Sequence, residues 1–212
     1  MILIFVMTKK STITNTGQIL ERSFIILHKE GWEGFSMRKL ADTMNCSAAI
    51  IYSYFPSKEK LLASVVRIGV LKLTACLKRA KGRQVPSHGL TEAMWLAYYD
   101  FAVSHQTFYQ LMFGINIPFQ LPPEELEVPI GLLLEANNIP NDNPDQLTTR
   151  IKFYTCWSLV HGYLALAFTN RQVLSSSNKQ EIRNGIRLIC FPSDKPPDNL
   201  QDQRCVNSIN LS

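Results

Sequence analysis

The chain has 212 residues, of which 46% are hydrophobic, so it is long and apolar enough for a sizeable core and is not an intrinsically disordered chain. The formal net charge of +5 is unevenly placed: residues 9–83 hold 14 Lys and Arg against 5 Asp and Glu, whereas residues 84–212 hold 8 against 12. This asymmetry predicts a basic head that binds a polyanion and a body that does not.

Apolar residues at helical spacing predict a first helix over residues 14–30. Gly31 suits a left-handed cap at the end of that helix, and Ser36 is a good N-cap for a second helix. Asn45 lies at the break that follows, and Asn tolerates left-handed backbone better than most residues other than glycine. The beginning of the chain is therefore predicted to be helical, with a tight break at Asn45.

A short third helix is predicted directly after that break. Ser47 caps it, Ile51 and Phe55 face inward together, and Pro56 stops it. Ser57 then caps a fourth helix that runs to about residue 79. Two helices joined by a tight turn, the second of them short, form a helix-turn-helix, whose second helix enters the DNA major groove by its N-terminal end.

The rest of the chain is also predicted to be helical, so the fold class is all-α. A break over residues 81–89 separates head from body, and the strand signal of period two is nearly absent. Residues 191–212 are polar and proline-bearing, which predicts a disordered tail. The predicted body helices cover residues 90–105, 107–114, 123–138, 145–171 and 178–190.

The opening MILIFVM is apolar but too short for a membrane span. Two interpretations stay open for it: a short packing segment, or a mis-assigned start with translation beginning at Met7. The five cysteines are widely spaced and form no C-x-x-C pair, so neither a zinc site nor a disulfide framework is indicated. A reducing, cytoplasmic setting is expected.

The stretch GWEGFSMRKLADTMNCSAAIIYSYFPSKEKLL resembles the N-terminal signature of the TetR family of bacterial transcriptional regulators. The resemblance covers residues 14–65 and includes Leu40-Ala41, the Tyr52-x-x-Phe55 pair and Ser57-Lys58-Glu59. The chain has Asn45 where the family usually has Gly. It also has Ala49 and Ile50 where Gly or Thr is frequent, so base preferences cannot be transferred.

The resemblance implies DNA-contacting roles for particular residues. Arg38 corresponds to a position that can reach a base, and small residues at the start of the third helix permit close approach to base edges. Four further residues correspond to positions that contact phosphates. Two alternatives stay open: Tyr52 packs by its ring, and Lys58 is only solvated. The base-facing residues are Ser47, Ala48 and Ala49, and the phosphate-contacting residues are Ser36, Tyr52, Tyr54 and Lys58.

The body resembles the family in outline, and CWSLVHGYLAL (156–166) is similar to a Trp-x-x-x-His-Gly stretch of one subgroup. The resemblance implies a helix-turn-helix domain over 1–58 and an effector-binding and dimerisation domain over 59–190. It further implies a homodimer that binds a near-palindromic operator in double-stranded DNA and is released by a small-molecule effector. The expected four-helix dimer bundle uses Ile151, Tyr154, Leu159, Leu166, Ile182, Ile186 and Ile189.

A ligand pocket is predicted where aromatic residues are dense, with a fully packed core as the alternative. A hydrogen-bonded core role is favoured for His161. No catalytic motif, metal site or cofactor site is recognised, and Glu124, Glu125 and Glu127 suit a helix N-terminus. Two other functions stay open: a regulator that answers a protein partner, and a helical enzyme or carrier with a basic head. The predicted pocket residues are Trp95, Tyr98, Tyr99, Tyr109, Phe113, Trp157 and His161.

Overall fold

The computed structural model of the chain describes residues 15–83, 87–114, 123–137, 146–169 and 176–192. Within these ranges the chain is helical and contains no strand, which confirms the all-α class. The opening residues and the predicted tail beyond residue 192 lie outside the described residues. The helices are α1 (Thr16–Glu30), α2 (Met37–Thr43), α3 (Ala48–Tyr54), α4 (Lys58–Lys81), α5 (Ser87–Ser104), α6 (Gln106–Phe113), α7 (Glu127–Asn137), α8 (Gln146–Thr169) and α9 (Ser176–Cys190).

The helix bounds agree with the sequence pattern to within a few residues. One difference is at the start of α7, where Pro123–Leu126 form a separate 3-10 turn before the α-helix begins at Glu127. Glu124 and Glu125 lie in the first turn of the 3-10 segment and Glu127 in the first turn of α7, as the helix N-terminus interpretation predicts. Glu125 also accepts a hydrogen bond from Arg67 at 2.6 Å.

Packing divides the chain into two compact units. The first comprises Met1–Ala75 with Ser104–Pro129, and the second comprises Cys76–Val103 with Ile130–Ser212. Helix α4 begins in the first unit and ends in the second, and α6 belongs to the first although it follows α5 in the chain. The predicted boundary at residue 58 is a division by function, and it stays a prediction.

The first unit packs the predicted helix-turn-helix onto the start of α4. Leu40 of α2, Ile51 of α3 and Leu61 of α4 are fully buried. Each such side chain contributes about 1.5–3 kcal/mol by leaving water. Helix α6 joins this core through Phe108, whose ring lies 4.5 Å from that of Phe24 between centroids. Helices α1, α2, α3 and α6 and the start of α4 therefore share one apolar interior.

Helices α8 and α9 pack against each other in the second unit. Ile182 and Ile186 are fully buried there. The prediction that these two residues face a second protomer is therefore wrong, because their side chains already fill the core of their own unit. Helix α8 nevertheless leaves large apolar side chains in solvent: Leu147, Ile151, Tyr154 and Leu166 are each more than half exposed, at 57–62%.

Candidate nucleic-acid interface

The turn between α2 and α3 closes with a recognisable hydrogen-bond pattern. The N–H of Cys46 donates to the carbonyl of Ala41 at 3.0 Å, and the N–H of Asn45 donates to that of Asp42 at 3.2 Å. These are the two bonds of a Schellman motif, which needs a left-handed residue just past the helix. Asn45 supplies it with φ 52°, the one positive φ at a non-glycine position among the described residues. The predicted left-handed break is confirmed.

Three serines begin helices, but they do not cap alike. Ser36 accepts from the N–H of Lys39 at 3.1 Å, and Ser57 accepts from the N–H of Lys60 at 3.3 Å, so both predicted caps are confirmed. Ser47 has the extended backbone of an N-cap, but its hydroxyl makes no capping bond. The N–H groups at the start of α3 therefore receive no side-chain cap from Ser47.

Helix α3 has one buried edge and one broad exposed face. Ile51 is fully buried and Phe55 is 8% exposed, which confirms their predicted inward orientation. Tyr52 is 48% exposed and Tyr54 38% exposed. Ser47, Ala49, Ile50 and Ser53 are also exposed, Ala48 is half-buried, and Arg38 is exposed on α2.

Lys58 has protein partners of its own. Its ammonium donates to the carbonyl of Phe35 at 2.7 Å and to that of Trp32 at 3.4 Å. It also lies 5.5 Å from the centroid of the Trp32 ring and 5.7 Å from that of the Phe35 ring, within cation–π range. Lys58 thus ties the first turn of α4 to the loop that leads into the Ser36 cap. The sequence pattern did not single out Trp32, because a lone loop tryptophan carries no periodic signal.

The second unit contains an aromatic cluster built from α5 and α8. Trp95 and Tyr98 are fully buried, and Trp157 lies 5.4 Å from Tyr98 and 4.5 Å from His161 between ring centroids. The Tyr98 hydroxyl and His161 Nε2 are hydrogen-bonded at 2.7 Å. Burial lowers the pKa of His161 to about 4, so the ring is neutral near pH 7. The predicted hydrogen-bonded packing of His161 is confirmed.

The structure divides the remaining predicted pocket residues between the two units. Tyr99 is buried on α5, and burial together with the charge of Asp100 raises its pKa. Tyr109 and Phe113 belong to α6 in the first unit, where their ring centroids lie 5.5 Å apart. Burial raises the pKa of Tyr109 well above its usual value. The roles of all seven residues in ligand binding stay predictions.

Comparison with known proteins finds a family match within the first unit. Residues 19–65 match the family model described as bacterial regulatory proteins, tetR family. Comparison with curated proteins gave no significant match. Within the described residues, no helix has the length and apolar character that crossing a membrane requires.

Solved structures of similar fold extend over most of the chain. A protein of unknown function from a Rhodococcus species is 22% identical with a TM-score of 0.66, covering 79% of this chain and 91% of that one. A TetR transcriptional regulator from Legionella pneumophila is 20% identical with a TM-score of 0.58, covering 84% and 99%. The TetR-family regulator PfmR from Thermus thermophilus is 17% identical with a TM-score of 0.57, covering 82% and 97%. At these identities the likeness shows a shared fold.

Proposed function

We propose that this chain, whose residues 19–65 match the family model described as bacterial regulatory proteins, tetR family, is a homodimeric DNA-binding repressor of that family. It binds a near-palindromic operator and is released when a small molecule binds its helical body. The observation that carries the proposal is the exposed surface of α3: Tyr52 and Tyr54 are solvent-exposed on either side of the edge that Ile51 and Phe55 bury. A bacterial regulator of this kind acts in the cytoplasm, where its DNA lies.

The proposed contacts follow from that face. The N-terminal end of α3, with Ser47, Ala48 and Ala49, enters the major groove, and small side chains there let the helix approach base edges. The hydroxyls of Tyr52 and Tyr54 reach phosphates and fix the register. Ser36, Arg38 and Lys58 complete the proposed DNA-binding set, with Arg38 as the residue that reads a base.

Lys58 is proposed to support DNA binding mainly by holding the protein backbone, and not by a phosphate contact alone. Its ammonium holds the carbonyls of Trp32 and Phe35, so it fixes the backbone from which Ser36 begins α2. Its positive charge adds long-range attraction for the phosphate backbone. Removal of Lys58 therefore lowers affinity for every DNA sequence, since the charge and the loop geometry are both independent of base identity.

In this proposal the helical body binds the effector and thereby controls the affinity for DNA. The effector binds beside the aromatic cluster of Trp95, Tyr98, Trp157 and His161, where Trp157 and His161 are only partly buried, and these rings suit a flat, largely apolar effector. Effector binding favours a body conformation of lower DNA affinity, by the difference in free energy with which the effector binds the two states.

A gel-shift titration with DNA from the region upstream of the gene, with unrelated DNA as competitor and at several salt concentrations, tests the proposal. We expect Arg38→Ala to lose discrimination at one base pair in each half-site, by about 1–3 kcal/mol. Tyr52→Phe is expected to weaken binding to specific and random DNA alike. Arg83→Ala, which removes an exposed charge two residues after the end of α4, is the matched control.

Equal losses on specific and random DNA for Arg38→Ala would contradict base reading by that residue. An upstream fragment that binds no better than random DNA would contradict a regulator acting on that region. Release of the bound fragment by a compound that also raises the melting temperature would support the effector-controlled repressor.

A further inference from the structure

Two buried thiols from different helices touch in the second unit. Cys156 of α8 is fully buried and Cys190, the last residue of α9, is 3% exposed. Their sulfur atoms lie 3.6 Å apart, although 34 residues separate them in the chain. A disulfide bond is about 2.05 Å long, so the two sulfur atoms would have to approach each other by about 1.5 Å to form one. The spacing of cysteines in the sequence gave no sign of this pair.

We propose that Cys156 and Cys190 are a reversible dithiol–disulfide pair that hydroperoxides oxidise, covalently joining α9 to α8. The inference is independent of DNA binding, since it rests on the geometry of the second unit alone. Its chemistry is a two-electron oxidation in which both thiols lose hydrogen and the peroxide is reduced.

The Cys190 thiolate attacks one peroxide oxygen; an S–O bond forms, the O–O bond breaks, and the leaving oxygen takes a proton to become an alcohol or water. Cys190 is then a sulfenic acid. The Cys156 sulfur attacks that sulfenic sulfur; the S–S bond forms, the S–O bond breaks, and the hydroxyl departs as water with the Cys156 proton.

Three features assign Cys190 as the attacking thiol. Cys156 hydrogen-bonds to it, and this bond together with the charge of Lys152 lowers the pKa of Cys190, whereas the same bond and burial raise the pKa of Cys156. Cys190 is also the last residue of α9, and helix ends open locally at a small fraction of the cost of global unfolding. Opening that last turn admits a small peroxide without unfolding the unit.

Asn137 connects the Cys156–Cys190 pair to the aromatic cluster by hydrogen bonds. Asn137, the last residue of α7 and 3% exposed, has its Oδ1 3.4 Å from Trp95 Nε1 and 3.6 Å from Cys190 Sγ. Its Nδ2 donates to the carbonyl of Leu133 at 2.7 Å, which fixes the amide. Forming the disulfide removes the Cys190 S–H donor from Asn137, so the modification reaches the hydrogen-bonded edge of Trp95.

The test uses the full chain and hydrogen peroxide. The triple variant Cys46→Ser, Cys76→Ser, Cys205→Ser retains only the pair, and peptide mapping after peroxide is expected to show a Cys156–Cys190 crosslink that a thiol reductant fully reverses. Cys46 and Cys76 are half-buried, so in the wild-type chain they serve as internal comparators of thiol reactivity. The crosslink is expected in the wild-type chain as well.

A second variant separates the two thiols. In Cys156→Ala the resolving thiol is gone, so Cys190 is expected to stop at the sulfenic acid and to be trapped by a dimedone probe. If Cys156→Ala does not fold, the presence or absence of the Cys156–Cys190 crosslink in the triple variant still tests the proposal. The proposal would be overturned if Cys156 and Cys190 could both still be alkylated after Cys76 has been oxidised. It would also be overturned if Cys190 were oxidised irreversibly to the sulfinic acid.

Discussion

At the scale of single residues, Asn45 shows how a local backbone requirement is met without glycine. Its φ of 52° lies in the left-handed region, where a β-carbon is strained, and asparagine tolerates that region better than alanine. We expect Asn45→Gly to retain or raise the free energy of unfolding and Asn45→Ala to lower it, the two variants differing by about 1–2 kcal/mol. Urea denaturation measures both. Equal stabilities would contradict a backbone requirement at this position.

His161 ties the stability of the second unit to pH. Its folded pKa of about 4 lies below the unfolded value of 6.5, because burial disfavours the charged ring. As pH falls from about 6.5, the unfolded chain takes up a proton that the folded chain refuses, so stability falls until pH approaches 4. The full loss is roughly 3 kcal/mol.

Two variants check this pH dependence. His161→Gln is expected to show a smaller loss of unfolding free energy between pH 6.5 and 4 than the wild-type chain. Tyr98→Phe removes the hydrogen bond to His161 but leaves the ring buried, so its pH dependence is expected to stay close to that of the wild type. A His161→Gln profile that parallels the wild-type profile would assign the pH dependence to other groups.

At the scale of elements, α4 and α6 approach each other closely at Gly69. A β-carbon built there would lie 2.9 Å from Phe108 Cβ and 2.9 Å from its Cδ1, inside van der Waals contact. We expect Gly69→Ala to destabilise the first unit by about 1–3 kcal/mol through overpacking. Gly131→Ala is the matched control: a β-carbon there meets nothing within 4 Å, so the change is expected to be neutral or to add up to about 1 kcal/mol.

Chemical denaturation of both variants distinguishes a packing effect from a general helix effect. Adding Phe108→Leu to Gly69→Ala is expected to restore part of the lost stability, since the smaller side chain removes the clash. A Gly69→Ala variant as stable as Gly131→Ala would mean that α6 is free to shift away from α4.

The sequence predicts elements better than it predicts their partners. Helices, the Ser36 and Ser57 caps and the left-handed Asn45 follow from local rules, and local rules act within a few residues. The prediction for Ile182 and Ile186 is wrong because an apolar stripe shows that a helix face is buried, not what buries it. The contact between Cys156 and Cys190 could not be read from spacing at all, since it depends on how α8 and α9 pack.

For the candidate nucleic-acid interface, too, the sequence predicts the helices and their exposed residues better than the contacts between them. Ile51 and Phe55 are four residues apart and share the buried edge of α3, so Tyr52 and Tyr54 fall on either side of that edge, where they are exposed. The engagement of Lys58 by two backbone carbonyls does not follow, because those carbonyls lie 23 and 26 residues earlier in the chain. Sequence patterns therefore give the face of α3, while the contacts that hold α3 in place require the three-dimensional structure.

At the scale of the whole molecule, the proposed dimer rests on the exposed face of α8. Leu147, Ile151 and Tyr154 recur at spacings of four and three residues, so they share one face of the helix, and each is more than half exposed. Leu166 extends the exposed apolar surface toward the end of α8. Such a stripe is costly in water and is typical of a surface that a second protomer covers.

Ile151→Glu places a charge at the centre of this stripe. We expect the variant to be monomeric at micromolar concentration in sedimentation experiments, because burying an unpaired carboxylate costs more than the remaining apolar contacts supply. Its affinity for a full palindromic site is expected to fall toward its affinity for a half-site, since two heads no longer bind as one unit. Leu71→Glu is the matched control, because Leu71 is 70% exposed but lies on α4. A dimeric Ile151→Glu, or a Leu71→Glu variant that dissociates instead, would move the interface away from α8.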